Sequence, residues 1–384
     1  MGIGLTLDPI WKLVSDGRSG WVGSDPSEPF GFEGAYDSHT MKPTTRNVCS
    51  LLLPALLPLL LSACGGNSGG EDAGAPTMPG QQPGANTAAP AATTAGKKFS
   101  LGCTIPTFGH PFFVAMKKGL DEEAAAAGAT LNIVDGKDDS QTQLTAIDNF
   151  VVQKVDAILL CPTETETLGP GVEKANQAKI PVITVNRTVA KGEVVTYVGA
   201  DDTEGGRLQG RALMAALPKG GKIILLQGVI GSSPQRNREA GLEEVLKGHP
   251  EFAILQKIPY NFQRAQAVSK METVLLQYGK GAVDVVVAQS DDGALGAADV
   301  CAQKGRTELK IIGFNGESDA FDGIRSGRIH ATVLQDAETQ GREAVRAALK
   351  HLRGEKVESP QITPLYSVTS ANLNEHKPAW QSSK

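Results

Sequence analysis

The sequence predicts an α/β protein with two doubly wound parallel-sheet lobes. From residue 98 onward, short continuous apolar runs alternate with amphipathic segments. This pattern is typical of strands that are buried on both faces and of the helices that cover them. The pattern starts again near Asp201 and Asp202, so the elements fall into two sets. A length of 384 residues also exceeds that of one ordinary domain, which favours two compact units.

Nine apolar runs are predicted to form the strands, and the amphipathic segments between them are predicted to be helices. The first helix is expected to begin at Pro111, which suits a first helical turn, and to end at Gly128. The predicted strands are Phe99 to Cys103, Leu131 to Val134, Ala157 to Cys161, Val182 to Val185, Lys222 to Gln227, Phe252 to Ile258, Val283 to Ala288, Ile311 to Phe314 and Ala331 to Leu334. The other predicted helices are Gln141 to Gln153, Gly169 to Ala178, Thr203 to Leu217, Gln235 to Lys247, Gln263 to Gln277, Asp291 to Lys304 and Thr339 to Leu352.

Composition argues against several classes of function. The net charge of -5 provides no basic excess for nucleic-acid binding. Five cysteines without zinc-finger or redox-motif spacing predict neither a metal site nor a disulfide framework. The sequence contains no Walker lysine loop, nucleotide-binding glycine fingerprint or HExxH pair. We therefore expect a protein that is not an enzyme, with no cofactor, no metal and no nucleic-acid partner.

The N-terminal region has the features of an export signal. Eight of the eleven residues at 51–61 are leucine, but this run is about half the roughly 20 residues that a membrane-spanning helix needs. Basic residues precede this run and small residues follow it, which is the order of a signal peptide. We interpret 41–64 as the signal and 65–97, rich in Gly, Ala and Pro, as a flexible tether. Residues 1–40 are interpreted as a non-native extension, because Met41 followed by Lys42 is the expected start of translation, with Met1 as the alternative.

The end of this signal, Leu61-Ser62-Ala63-Cys64, resembles a bacterial lipobox. By that resemblance, Cys64 is lipidated and the exported protein is anchored in a membrane, facing the periplasm or the cell exterior. The alternative is an unmodified cysteine at the end of an ordinary signal peptide. The sequence leaves open whether the inner or the outer membrane holds the lipid.

Aromatic, amide and guanidinium side chains follow the predicted strands of both lobes. Doubly wound sheets bind ligands beyond the carboxyl ends of their strands, so these segments should face one crevice. Such groups suit a polyhydroxylated ring, because aromatic faces pack on C–H groups and planar polar groups exchange hydrogen bonds with hydroxyls. The segments are 108–113, 186–188, 231–236, 289–292 and 315–316.

In this order, the segments resemble those of the type I periplasmic binding proteins, the ribose-binding branch above all, which deliver sugars to ABC importers. The similarity runs from about Lys98 to about Val368 and includes 180–184, 289–297 and 311–314. It implies two lobes joined by a three-segment hinge. The implied lobes are 98–202 plus 336–361 and 203–335 plus 362–376, followed by a tail at 377–384.

The resemblance also assigns site residues. Phe112 and Phe113 would face Phe262 across a sugar ring, with Arg187 and Arg236 binding its oxygens and Gln335 at the hinge. For Phe113 the alternative is a core position, for the two arginines a surface salt bridge. Arg238 is expected to be solvated, although a shift in alignment would exchange it with Arg236. The predicted ligand-binding set is His110, Phe112, Phe113, Asn186, Arg187, Arg236, Phe262, Ser290, Asp291, Asn315 and Gln335.

Four positions differ from the pattern of the ribose-binding branch. His110 and Ser290 replace asparagines, while Asn186 and Asn315 replace aspartates. With two arginines and two fewer carboxylates, the crevice would be more cationic, and buried charges are costly unless paired. Either an acid elsewhere in the sequence compensates, or the ligand is negatively charged. This pattern favours an acidic or otherwise unusual sugar derivative over a plain pentose.

The function implied by the resemblance is capture of a monosaccharide or sugar derivative by lobe closure, and delivery to an ABC transporter permease by a monomer. A sensor-coupled binding protein is an alternative that the sequence does not separate. A repressor effector domain would need a helix-turn-helix where the signal and tether lie. Cys103 and Cys161 end neighbouring predicted strands, so either a disulfide or, preferably, two buried thiols are expected.

Overall fold

The computed structural model describes residues 98–380, which contain two six-stranded sheets. The extension 1–40, the signal 41–64 with Cys64, the tether 65–97 and residues 381–384 lie outside the described residues. The strands are β1 (Ser100–Ile105), β2 (Thr130–Asp135), β3 (Ala157–Leu160), β4 (Val182–Val185), β5 (Thr196–Ala200), β6 (Gly221–Gln227), β7 (Phe252–Pro259), β8 (Val285–Ala288), β9 (Lys310–Ile312), β10 (Ala331–Leu334), β11 (Gln361–Thr363) and β12 (Tyr366–Thr369). The helices are α1 (Pro111–Ala126), α2 (Ser140–Gln153), α3 (Gly169–Gln177), α4 (Asp202–Ala216), α5 (Ser233–Leu246), α6 (Arg264–Gln277), α7 (Asp291–Gln303), α8 (Ser318–Arg325) and α9 (Ala337–Leu352), followed by a short 3-10 helix (Leu373–Glu375).

Each sheet is the centre of one lobe. The order in the first lobe is β11-β5-β4-β3-β1-β2, and in the second it is β12-β10-β9-β8-β6-β7. Strands pair in parallel except β12, which runs antiparallel to β10. The central strands β3 and β8 are buried throughout because helices cover both faces of each sheet. The predicted fold class is therefore confirmed. Among residues 98–380, none of the helices has the combined length and apolarity that crossing a bilayer requires.

The chain passes between the lobes after β5, after β10 and after β11. The predicted lobe boundary at residue 361 falls inside β11 and is wrong, because Thr363 still pairs with Ala200 of the first sheet. The strand β11 has only three residues, lies at the edge of the sheet and exposes Ile362. It therefore contains no apolar run from which a strand could be predicted. Three further elements were not predicted, because each is short and interrupted by polar or glycine residues: α8, β5 and β12.

The predicted tail at 377–384 is also corrected. Trp380 is buried in the core of the first lobe, so the chain is packed up to the last described residue. Of the two alternatives for Cys103 and Cys161, the structure has free, buried thiols. Cys103 pairs with Leu159 across the sheet, so Cys161 is offset by two residues along the neighbouring strand.

Candidate ligand-binding site

A cavity of about 280 Å³ lies between the lobes, beyond the carboxyl ends of both sheets. Its lining comes from the loops and N-terminal helix turns that follow β1 and β4 in the first lobe and β6 to β10 in the second. The lining residues are His110, Phe112, Phe113, Asn186, Arg187, Pro234, Arg238, Phe262, Ser290, Asn315 and Gln335.

Nine of the predicted residues line this cavity, and two do not. Arg236 projects from α5 with its side chain 46% exposed and lies 3.6 Å from Glu166. Arg238 takes its place at the cavity and is only 3% exposed, so the expectation that it is solvated is wrong. Two residues along an α-helix differ by about 200° in direction, and therefore Arg236 and Arg238 face opposite ways.

Asp291 is the other residue outside the cavity lining. Its buried carboxylate accepts hydrogen bonds from Gly316 N (2.7 Å), Glu317 N (2.9 Å) and Thr332 Oγ1 (2.7 Å). It therefore holds the loop that carries Asn315, and its assignment as a ligand contact is corrected to a supporting role. The next residue, Asp292, faces the cleft mouth instead.

The charge of Arg238 is paired with a buried acid, Asp202, which no sequence pattern reveals. Its Nε donates to Asp202 Oδ1 at 2.8 Å, its NH1 donates to the Gln289 carbonyl at 2.5 Å, and its guanidinium stacks 3.6 Å from the ring centre of Phe314. Burial raises the pKa of Asp202, and the charge of Arg238 offsets part of that rise. Asp202 opens α4 and follows Asp201, the N-cap of that helix, so it resembled an ordinary first-turn acid.

Arg187 lies between the two lobes and contacts an aromatic ring from each. Its guanidinium is 5.3 Å from the ring centre of Phe113 and 5.6 Å from that of Phe262. NH1 donates to the carbonyls of Pro162 (3.3 Å) and Thr163 (2.9 Å), whereas Nε is buried and has no hydrogen-bond partner among residues 98–380. Burial lowers the pKa of this arginine. A buried donor without a partner favours a ligand that accepts a hydrogen bond there.

The ring of Phe262 is placed by an unusual backbone. Phe262 has φ +59°, a left-handed conformation that is rare for a bulky residue and typical of functional sites. Gly228 makes room for the ring, because a Cβ at that position would lie 1.9 Å from Phe262 Cζ. The aromatic wall in the second lobe therefore depends on both positions.

A chain of amide side chains crosses the hinge beside the cavity. Asn186 Nδ2 donates to Gln340 Oε1 at 3.1 Å, and Gln340 Nε2 donates to Gln335 Oε1 at 3.1 Å. Gln335 Nε2 in turn donates to Asn315 Oδ1 at 2.9 Å. An aspartate at position 186 could not donate in this chain, so the replacement by asparagine is compatible with this network. Gln340 is buried on α9 and carries no sequence signal that distinguishes it from a surface glutamine.

The lobes contact each other at the mouth, so the structure shows the closed arrangement. Thr188 N donates to Ser233 Oγ (3.0 Å), and Thr165 N donates to the Gly231 carbonyl (3.2 Å). A second, outer cavity of about 810 Å³ shares the aromatic and arginine walls and adds two carboxylates, Asp138 and Asp292. Burial raises the pKa of Asp138, which Arg187 partly offsets. Within residues 98–380, no three His, Cys, Asp or Glu side chains are grouped to hold a metal ion.

The profile of the family described as periplasmic binding protein domain matches residues 101–356. The chain belongs to the periplasmic binding protein family. The family resemblance seen in the sequence is thus confirmed. This is a family of extracytoplasmic binding proteins rather than enzymes.

Three relatives show what the binding protein is similar to. The ribose import binding protein of Bacillus subtilis (strain 168) is 34% identical over 278 residues, which is 72% of this chain and 90% of that protein. The xylitol-binding protein of Mycolicibacterium smegmatis is 30% identical over 289 residues, 75% of this chain and 82% of that protein. An ABC transporter solute binding protein of Bacillus halodurans with bound myo-inositol matches with TM-score 0.69 and 28% identity, over 72% of this chain and 96% of that one.

Proposed function

We propose that the binding protein captures a neutral monosaccharide or polyol by closing its lobes, and delivers it to an ABC transporter permease. The main support is one cavity that combines Arg187 and Arg238 with aromatic rings from both lobes and with amides at the hinge. Rings pack on C–H faces, and arginine and amide groups match hydroxyl and ring oxygens. The relatives named for ribose import and xylitol, together with the solved structure that has bound myo-inositol, support the same class of ligand.

The charges of the site favour a neutral ligand over the acidic derivative that the sequence pattern suggested. That argument required two arginines without enough acids, and the buried Asp202 supplies the acid for Arg238. Asp138 and Asp292 line the mouth beside Arg187, whereas the other cation there, Arg264, is already paired with Asp299. An acidic ligand would have to approach these carboxylates, at an electrostatic cost.

A thermal-shift panel on the purified full chain tests this proposal. A ligand that binds only the folded protein stabilises it by roughly 2.7 kcal/mol at 100 times its Kd. We expect one or more of D-ribose, xylitol and myo-inositol to raise the Tm, and D-gluconate and D-glucuronate to leave it unchanged. A rise with the two acids alone would contradict the charge argument, and no rise with any of the five would contradict the solute class.

Delivery to a permease is tested by uptake in cells that lack the protein. Uptake of the stabilising solute should return with the wild-type gene and not with the Arg187→Ala variant. Uptake that does not depend on the protein would reject delivery and favour a sensor-coupled role. We expect the protein to sediment as a monomer with and without the solute.

Lipid anchoring at Cys64 is a separate proposal, supported by the Leu61-Ser62-Ala63-Cys64 motif. Cells grown with a clickable fatty acid should label the wild-type protein and not a Cys64→Ser variant. The variant should also be released from the membrane fraction. Equal labelling of both proteins would reject Cys64 as the lipidated residue.

A further inference from the structure

The last described residues run from one lobe to the other, beyond the three passages already described. Leu373 packs in the second-lobe core, whereas Trp380 packs in the first-lobe core. Ala379, between them, contacts both cores. We call residues 373–380 the strap.

The strap contacts the cavity wall from both sides. Ala379 N donates to the Gly316 carbonyl at 2.8 Å, and Gly316 follows the cavity residue Asn315. The Trp380 ring meets the Phe112 ring edge-on, with ring centres 5.6 Å apart and planes at 78°. Phe112 lines the cavity in the first lobe. One short segment therefore connects a wall residue of the first lobe to the loop that carries a wall residue of the second.

We propose that the strap favours the closed form and that Trp380 is a positioning residue that fixes the Phe112 ring in the ligand cavity. This inference rests on the proposed function, in which the lobes close on a solute. Phe112 and Gly316 lie on different lobes, so opening of the cavity must change at least one of the two strap contacts. A contact that differs between the open and closed forms shifts their equilibrium by the difference in its free energy.

The contact with Phe112 depends on the aromatic ring of Trp380 rather than on its N–H group. Trp380 is 7% exposed, and its Nε1 is buried without a hydrogen-bond partner among residues 98–380. Replacement by phenylalanine removes this unsatisfied donor and retains an aromatic edge, whereas alanine removes the contact. The Phe variant should therefore preserve the strap and the Ala variant should release it.

The first test uses the fluorescence of Trp380 to follow the change in its surroundings when a solute binds. The sequence has three tryptophans, so Trp11→Phe and Trp21→Phe in the full chain leave Trp380 alone. Titration with D-ribose, xylitol and myo-inositol should change its emission and reduce its quenching by acrylamide. Trp380→Ala should weaken binding about 3- to 10-fold, which is the range for loss of an aromatic pair, and Trp380→Phe should bind like wild type. The matched control is Phe252→Ala, which removes a ring that pairs with His249 in the second lobe.

The second test needs no solute. Spin labels on Val152→Cys in the first lobe and Leu276→Cys in the second sit at exposed positions and report the separation of the lobes. In the ligand-free protein, Trp380→Ala should shift the distance distribution to longer values, and Trp380→Phe and Phe252→Ala should not. An unchanged distance distribution in Trp380→Ala would overturn the strap proposal, whether or not any solute raises the Tm in the thermal-shift panel. Failure of every solute to bind the wild-type protein would instead reject the proposed function, while this distribution still decides the role of the strap.

Discussion

His110 and Asp292 join the two lobes across the mouth of the cavity, with Nε2 and Oδ2 3.0 Å apart. His110 is the N-cap of α1, and its Nδ1 accepts a hydrogen bond from Phe112 N at 3.2 Å. Because Nδ1 accepts, the proton lies on Nε2, which donates to Asp292. The contact requires the lobes to meet, so it contributes to the closed form and not to an open one.

Removal of this contact should speed release of the solute. We expect Asp292→Ala to raise the dissociation rate about tenfold, which corresponds to roughly 1.4 kcal/mol for a hydrogen bond to a charged group at a partly exposed site. Stopped-flow measurement of the dissociation rate checks this, with Asp322→Ala at an exposed position of α8 as the control. A dissociation rate equal to that of the wild type would show that the contact does not hold the closed form.

Arg236 should differ sharply from Arg187 and Arg238 when each is replaced by alanine. Arg236→Ala removes an exposed side chain outside the cavity, so affinity should change less than twofold. Arg187→Ala removes a buried cavity donor and should weaken binding about 100-fold, since each bond to a charged group contributes roughly 1.5–3 kcal/mol. Arg238→Ala should also weaken binding and, in addition, lower the free energy of unfolding by about 3–5 kcal/mol because Asp202 loses its partner.

Calorimetric titration together with urea unfolding separates these effects. Equal losses of affinity for Arg236→Ala and Arg187→Ala would contradict the placement of the site. A wild-type unfolding free energy for Arg238→Ala would contradict the role of the buried ion pair.

Close packing of α4 on α5 should be needed to place Arg238. A Cβ added at Gly206 would lie 2.1 Å from the backbone oxygen of Arg238. Gly206→Ala should therefore push α5 away, lower the unfolding free energy by about 1–3 kcal/mol and weaken solute binding. Gly279→Ala is the control, since no atom lies within 4 Å of its added Cβ. Unchanged affinity in Gly206→Ala would show that the position of α5 does not determine the site.

Two buried carboxyls should make stability fall as pH rises. Burial raises the pKa of Asp291 to about 6 and raises that of Glu317 well above its ordinary value. The native state therefore binds more protons than the unfolded state from about pH 4 upward, so the contribution of these groups to stability is lost as pH rises through their folded pKa values. Between pH 4 and 7, the unfolding free energy of the wild type should fall relative to that of the Asp291→Asn/Glu317→Gln variant. Parallel pH profiles from urea unfolding would contradict this.

The sequence predicted the sheets well because buried parallel strands such as β3, β4 and β8 form continuous apolar runs. The pattern also placed the site beyond the carboxyl ends of these strands, and the family resemblance assigned most of the cavity residues there. Short edge strands such as β11 were missed because their residues are polar or exposed. The strap, residues 373–380, has no sequence pattern from which the burial of Trp380 could be predicted.

The errors in the predicted site concern the direction of side chains on a helix and contacts between residues that are distant in the sequence. The choice between Arg236 and Arg238 depends on where α5 begins, and a difference of two residues reverses the face of the helix. Asp202 and Gln340 act through partners that are 36 and 154 residues away in the chain. Such contacts exist only after the lobes have folded, so one sequence does not reveal them.

A crystal structure with the solute that most raises the Tm tests the central claim most directly. We predict one solute molecule between Phe112 and Phe262, with its oxygens within hydrogen-bond distance of Arg187 and Arg238. A solute bound elsewhere, or in contact with Arg236 and with neither of the other two arginines, would contradict the account.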